Sequence, residues 1–190
     1  MDAPRGQVGP GELLQLRSSA DTEGEVQRVL AKLEAAGIDL PVVRSIANAP
    51  NAFRPFILLA DALLTKAVLP APVREVVIMY LAARQGSAYE WHEHERMAAA
   101  VGVTRAQLQA ILAGDPSAEH FSAEQLLGVA VAREMLDGDG LSRERWREAI
   151  DAWGVEGAMD VVLSVGWWGG MVPLVLGALA LDAPPIPDGS

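Results

Sequence analysis

The sequence predicts an all-α protein, built as a single-domain bundle of about eight helices. Apolar residues recur at helical spacing along most of the chain, and no segment shows the strict alternation that is typical of a strand. Glycines, prolines and capping residues separate these apolar segments. With 190 residues, of which 51% are hydrophobic and 21% charged, the chain is long and apolar enough to bury a sizeable core.

Start and stop signals define the first three predicted helices. The first lies within residues 21–37, where spaced apolar residues run up to a terminal glycine. The second covers residues 50–70, with one proline near its start and another at its end. In the third, residues 71–86, Pro72 suits the first helical turn and Gly86 suits the stop.

Capping boxes and glycines mark the later helices. Residues 87–101 form the fourth, and the glycine that follows closes it. In a capping box, a Ser or Thr and a Gln three residues later cap each other's backbone groups, and Thr104–Gln107 opens a short helix in this way. Ser122–Gln125 opens another. Two further helices, one polar and one apolar, end the fold at residues 142–153 and 161–181.

The chain ends are polar and rich in Gly and Pro. We assign residues 1–20 to an N-terminal arm, residues 21–182 to the helical domain and residues 183–190 to a C-terminal tail. The opening stretch MDAPRGQVGPGELLQL has no apolar core of signal-peptide length, so we expect a cytoplasmic protein.

Composition excludes several functional classes. The formal net charge is −10 and no basic run is present, so nucleic acid is not an expected partner, because phosphate binding relies on clustered Lys and Arg. The sequence has no cysteine. Disulfides, thiolate metal sites, iron–sulfur clusters and cysteine-based redox cycles are therefore excluded.

The stretch VVLSVGWWGGMVPLVLGALAL, residues 161–181, carries no charge and is long enough to span a bilayer. Gly169, Gly170 and Pro173 weaken it as one continuous helix, and no Lys or Arg cluster flanks it. We expect a buried helix and no membrane contact. Its surplus apolar surface predicts a homo-oligomer, either a dimer, a trimer or a trimer-based hexamer.

The stretch GSAYEWHEHER, residues 86–96, carries the candidate site. Ser87, Glu90 and His94 stand at i, i+3 and i+7, so they share one face of a helix. Glu90 and His94 are one turn apart, close enough for the carboxylate to hydrogen-bond the imidazole. His92 points elsewhere, and its spacing from His94 is not that of helical metal motifs, so we expect no metal.

Arg74 and Glu75 interrupt the apolar helix that precedes this stretch. A turn near Gly86 would bring the Glu75 carboxylate back against Glu90 and His94. Two carboxylates and a histidine in an apolar pocket suit general acid–base catalysis, since burial raises a Glu pKa and a nearby His⁺ lowers it. The alternative interpretation is that these polar residues form only a solvated helix face.

The segment REVVIMYLAARQGSAYEWHEH, followed by VGVTRAQLQAI, resembles the carboxymuconolactone decarboxylase family, which includes the alkyl hydroperoxidase D-like proteins. The resemblance covers roughly residues 35–182 and implies the all-α fold of the alkyl hydroperoxidase D-like proteins. In the peroxidase branch, a Glu stands twelve residues before a Cys-x-x-Cys pair, and a His stands four beyond it. Glu75 and His94 match those two positions, whereas Ser87 and Glu90 stand where the cysteines would be.

This departure excludes thiol peroxidase activity, which needs one thiolate to attack the peroxide and a second thiol to resolve the product. The resemblance to the decarboxylase branch implies cofactor-independent decarboxylase, lyase or isomerase chemistry on a small organic acid, lactone or related carbonyl compound. There, loss of CO₂ leaves a carbanion that an acid must protonate. The alternative is a family member that binds a small ligand or a partner without turnover.

The shared helix face and the family resemblance together lead us to expect three roles. His94 is the main acid–base group, Glu90 is its orienting partner and Glu75 is the second carboxylate. The two indoles of the apolar helix are explained equally well as core residues. No cofactor is expected. The candidates for binding the substrate are the neighbouring hydroxyl and aromatic side chains of Ser87, Tyr89, Trp91, Trp167 and Trp168.

Overall fold

The computed structural model describes residues 14–117, 119–138, 140–181 and 183–187. Every regular element within these residues is helical, which confirms the predicted all-α class. The α-helices are α1 (Gly24–Ala35), α2 (Pro41–Ile46), α3 (Pro50–Asp61), α4 (Ala71–Gln85), α5 (Ala88–Ala100), α6 (Arg105–Leu112), α7 (Ala123–Asp137), α8 (Arg143–Gly166) and α9 (Val172–Leu179). A 3₁₀ turn, Ser19–Asp21, precedes α1, and two π-helical segments, Ala62–Lys66 and Trp167–Met171, follow α3 and α8.

The described chain divides into two compact units. The first contains residues 14–65 and 175–181, and the second contains residues 66–174 and 183–187. The domain boundaries that we derived from the sequence stay a prediction. Residues 1–13 of the predicted arm, and residues 188–190 of the predicted tail, lie outside the described residues.

The first unit is built on α1, α2 and α3. Its core consists of Val26, Leu30, Val43, Ala47 and Phe53. The sequence analysis missed α2, because a helix of six residues is too short to show a helical period, although Pro41 does mark its first turn.

Part of the predicted arm lies against α2 within this unit. The Nε of Arg44 donates a hydrogen bond to the carbonyl of Arg17 at 3.1 Å, and the amide of Asn48 donates to the carbonyl of Gln15 at 2.8 Å. The described end of the arm is therefore held by side-chain to backbone hydrogen bonds.

The second unit is organised around α4. Ten consecutive residues of this helix, 73–82, are buried, because α5, α6, α7, α8 and the second π-helical segment all pack against it. Helix α7 approaches α4 closely at Gly128, where an added Cβ would lie only 2.8 Å from Cγ2 of Val77. A charged side chain on an apolar helix that is buried on every side needs a specific partner, because burying an unpaired charge is unfavourable.

The local signals read from the sequence start and stop these helices as predicted. Thr104 and Ser122 cap α6 and α7 through reciprocal capping boxes. The two glutamines of these boxes are buried and also bond each other, with Nε2 of Gln107 donating to Oε1 of Gln125 at 2.9 Å. Gly86, at φ 65°, ends α4 in the left-handed conformation that favours glycine.

The apolar end of the chain is helical but not regular. Helix α8 breaks at Gly154, which has φ 69° and ψ 177°, and the π-helical segment contains Gly169 and Gly170. By length and composition alone, the stretch Arg143–Leu179 would cross a membrane, and 39% of its most apolar window is buried. This is weak support for a span, because a core helix of a water-soluble protein passes the same test.

Candidate active site

Two neighbouring helices supply the charged residues of the site. Only Gly86 and Ser87 separate α4 from α5, and the backbone N–H of Ser87 donates to the carbonyl of Ala82 at 2.9 Å. This tight connection lets α5 pack against α4 over much of its length. The residue Glu75 near the start of α4 therefore meets His94 in the second half of α5.

The structure brings Glu75, Glu90 and His94 together in the interior of the second unit. Nδ1 of His94 lies 3.0 Å from Oε2 of Glu75, within hydrogen-bond distance. Nε2 of His94 lies 3.5 Å from Oε2 of Glu90. The exposed fractions are 0% for Glu75, 6% for Glu90 and 5% for His94, so the three residues do not form a solvated helix face.

The arrangement differs in one respect from the sequence-based expectation. We expected Glu90 to orient the imidazole, yet the shorter contact is made by Glu75, which faces Nδ1, while Glu90 faces Nε2. The spacing of two residues on one helix shows that their side chains are close. It does not show which ring nitrogen will face a carboxylate from a neighbouring helix.

Arg74 completes the site, and the sequence analysis gave it no role. Its Nε and Nη2 both lie 3.3 Å from Oε1 of Glu75, and the residue is only 7% exposed. The available signal was the arginine itself, because a charged residue inside an apolar run is rarely buried unless it is paired.

The four side chains form a charged series, in which each side chain contacts the next through an ion-pair contact. Arg74 neutralises Glu75, and Glu75 faces His94, which in turn faces Glu90. Burial raises the pKa of the Glu90 carboxyl above its ordinary value, while His94 lowers it and Glu93 raises it further. A single proton shared by Glu90 and His94 leaves the series neutral, whichever of the two holds it.

One aromatic ring contacts the imidazole, and other buried aromatic side chains lie in the same unit. The ring of Trp168 stands edge-on to that of His94, with centroids 5.6 Å apart and an interplanar angle of 84°. Trp167 packs edge-on against Trp168 at 6.5 Å. Trp91 and Tyr89 of α5 are also buried. The four charged residues are themselves buried from bulk water, which strengthens the electrostatic interactions among them.

The remaining candidate residues lie outside this series. Ser87 is half-buried at the N-terminus of α5, and within the described residues no hydrogen bond joins its side chain to Glu90 or His94. His92 faces elsewhere, as its spacing predicted, and its Nε2 lies 3.0 Å from the carbonyl oxygen of Pro184. In the part of the chain that is described, no cluster of three or more His, Asp or Glu is arranged to hold a metal ion.

The raised pKa of Glu90 makes a prediction about pH. The unfolded chain loses this proton near the ordinary Glu pKa of about 4.3, whereas the folded chain still holds it, so Glu90 makes folding less favourable as the pH rises above that value. Glu90→Gln cannot ionise. We expect the free energy of unfolding of this variant to improve relative to wild type between about pH 4 and pH 7 in urea titrations. A difference that is constant over this range would contradict the assignment.

Comparison with known families gives a match to part of the chain. Residues 50–134 match the sequence model of the Carboxymuconolactone decarboxylase family. The matched segment runs from the start of α3 into α7, and it includes all four members of the charged series. No curated protein matches the chain.

Proposed function

Because residues 50–134 match the sequence model of the carboxymuconolactone decarboxylase family, we propose that this chain is a cofactor-independent acid–base enzyme of that family. Its substrates would be small organic acids, lactones or related carbonyl compounds, and its chemistry decarboxylation, or the related lyase and isomerase reactions. One observation carries the proposal: a buried histidine stands between two buried carboxylates, of which one is neutralised by an arginine. Such a site can hold and release one proton.

The geometry suggests separate roles for the two carboxylates. An ionised Glu75 accepts the Nδ1–H of His94, which leaves Nε2 as the nitrogen that exchanges protons. Glu90 faces that nitrogen, and burial raises the pKa of its carboxyl, so Glu90 holds a proton more readily than an exposed glutamate does. The Glu90–His94 pair is then the proton donor, and Glu75 is the residue that orients the imidazole.

A balanced decarboxylation follows from these roles. The bond between the substrate carbon and its carboxylate breaks, CO₂ leaves, and the electron pair stays on the carbon, delocalised into a conjugated carbonyl group of the substrate. The Glu90–His94 pair donates its proton to that carbon, and solvent later returns a proton to the pair. The substrate's own carbonyl accepts the electron pair, so the step needs no further reactant.

The aromatic residues support the choice of a small and largely flat substrate. Trp168 lies next to His94 and Trp167 packs against Trp168, and an indole face can stack on a conjugated ring or carbonyl system. We propose the same binding role for Tyr89 and Trp91, and a substrate hydrogen bond for Ser87. The edge-on packing of Trp167 against Trp168 also stabilises the second unit.

A substrate screen tests this function. Purified protein is incubated with a panel of carboxylated lactones and β-keto acids, and CO₂ release and product formation are measured. We expect turnover of at least one conjugated member of the panel. Saturable binding of panel members in calorimetry, without any turnover, would replace this function with the alternative of a ligand-binding family member.

We also propose a homo-oligomer, a dimer, a trimer or a trimer-based hexamer. Val155, Met159 and Leu163 stand four residues apart on α8 and are 67%, 41% and 46% exposed, and Leu174 is 77% exposed. Residues at this spacing share one helix face, so α8 presents an uncovered apolar stripe. A second copy of the chain would cover it, rather than a bilayer. The absence of membrane and nucleic-acid partners and a cytoplasmic location stay predictions.

Light scattering at micromolar concentration tests this assembly. We expect a mass that is two, three or six times the chain mass of 20.2 kDa, and a smaller mass for Leu163→Glu, which places a charge on the apolar stripe. A wild-type mass of one chain, unchanged with concentration, would refute the oligomer.

A further inference from the structure

We infer that Arg74 is a positioning residue, which keeps Glu75 ionised and thereby fixes His94 in the tautomer that carries its proton on Nδ1. The inference rests on the proposed function for its catalytic meaning. The arrangement of protons on the buried side chains of Arg74, Glu75 and His94 does not depend on that function.

The position of Arg74 in the helix needs an explanation. It is the fourth residue of α4, close to the N-terminal end, where the helix dipole favours negative and not positive side chains. It is also buried, and a buried guanidinium is unfavourable unless it is paired. Neither the helix dipole nor solvation favours an arginine here. Its pairing with Glu75 is the interaction that accounts for it.

Each oxygen of the Glu75 carboxylate faces a different neighbour. Both nitrogens of Arg74 approach Oε1, while Oε2 is left to face Nδ1 of His94. A guanidinium only donates hydrogen bonds, so it favours the ionised carboxylate. An ionised carboxylate only accepts hydrogen bonds, so Nδ1 must carry the proton in their shared bond.

The groups around the imidazole agree with this assignment. Among the residues that the structure describes, the charged groups within 4.0 Å of an imidazole nitrogen of His94 are Glu75 from α4 and Glu90 on α5. Trp168 packs against the ring from the π-helical segment. Nε2 therefore either accepts a proton from Glu90 or donates one to it. In both states Nδ1 stays protonated, provided that Glu75 is ionised.

Removing the arginine charge should allow the proton of the neutral imidazole to leave Nδ1. Without Arg74, a buried Glu75 is free to take up a proton, and a protonated carboxyl can donate to Nδ1 instead of accepting from it. The proton on the neutral imidazole would then move to Nε2, the nitrogen that faces Glu90. His94 would no longer present an unprotonated Nε2 to exchange protons.

Nitrogen-15 NMR of the imidazole measures this directly in the full chain. We compare wild type with Arg74→Gln and Arg74→Lys, and use Arg96→Gln, an exposed arginine of α5, as the matched control. In wild type and the control, we expect neutral His94 to be mainly the Nδ1–H tautomer. We expect Arg74→Gln to lose this tautomer as its major form. Arg74→Lys should retain part of it, because lysine keeps the charge but not the guanidinium geometry.

Each outcome decides the inference. An Nδ1–H tautomer that persists unchanged in Arg74→Gln would overturn it, and so would a wild-type His94 that carries its proton on Nε2. If Arg74→Gln fails to fold, Arg74→Lys still decides: because lysine keeps the positive charge, complete loss of the Nδ1–H tautomer in this variant would contradict the role given to that charge. The measurement uses no substrate, so a failed substrate screen alongside the expected tautomers would reject the proposed function and leave this inference intact.

Discussion

Replacing Glu75 with leucine is expected to destabilise the protein by roughly 3–5 kcal/mol, because it leaves the buried Arg74 without its carboxylate. The leucine is close in size to the glutamate, so little of this effect would come from a cavity. The loss of the hydrogen bond to His94 adds to the effect in the same direction. Urea unfolding at neutral pH measures it.

A double variant separates the buried charge from the loss of packing. Arg74→Met combined with Glu75→Leu removes both charges, and apolar replacement of a buried ion pair is often neutral for stability. We expect the double variant to recover most of the stability that Glu75→Leu alone loses. Glu124→Leu, an exposed glutamate in the first turn of α7, is the control and should change stability by no more than about 1 kcal/mol.

The two single variants and the double variant form a thermodynamic cycle. A double variant as unstable as the sum of Glu75→Leu and Arg74→Met would show that the two side chains do not interact. The central role given to the ion pair in the second unit would then be wrong.

Local signals explain how much of this site was predictable. Helical spacing places Glu90 and His94 on one face, and the structure shows their side chains 3.5 Å apart. The glycine that ends α4 indicated the turn that brings Glu75 back against them. Both signals act within one or two turns of a helix, where geometry follows directly from the chain.

The features that were missed depend on contacts between helices. The role of Arg74 and the choice of ring nitrogen by Glu75 are set by how α4 packs against α5, which spacing along one helix does not specify. The continuation of α8 beyond Gly154 is a similar case, because the sequence pattern ends the polar helix at residue 153 and the structure extends α8 to Gly166. Sequence spacing identified the candidate groups, and packing decided their orientation.

His94→Ala is expected to have the largest effect on activity. Removing the imidazole takes away the group that lies between the two carboxylates, so Glu90 loses the base with which it shares a proton. A positioned general acid or base contributes roughly 10²–10⁴-fold to a rate, and we expect kcat to fall by that factor. The fall should appear on whichever conjugated acid or lactone the wild type turns over.

The turnover rates of His94→Ala and His92→Ala, measured on the same substrate, test the central claim most directly. Both variants remove an imidazole from α5, two residues apart, but His92 is half-buried and faces the carbonyl of Pro184 instead of the charged series. The proposed mechanism predicts that His94→Ala loses nearly all activity while His92→Ala keeps it within a few-fold. Equal activity in wild type and His94→Ala would remove His94 from the chemistry and contradict the mechanism.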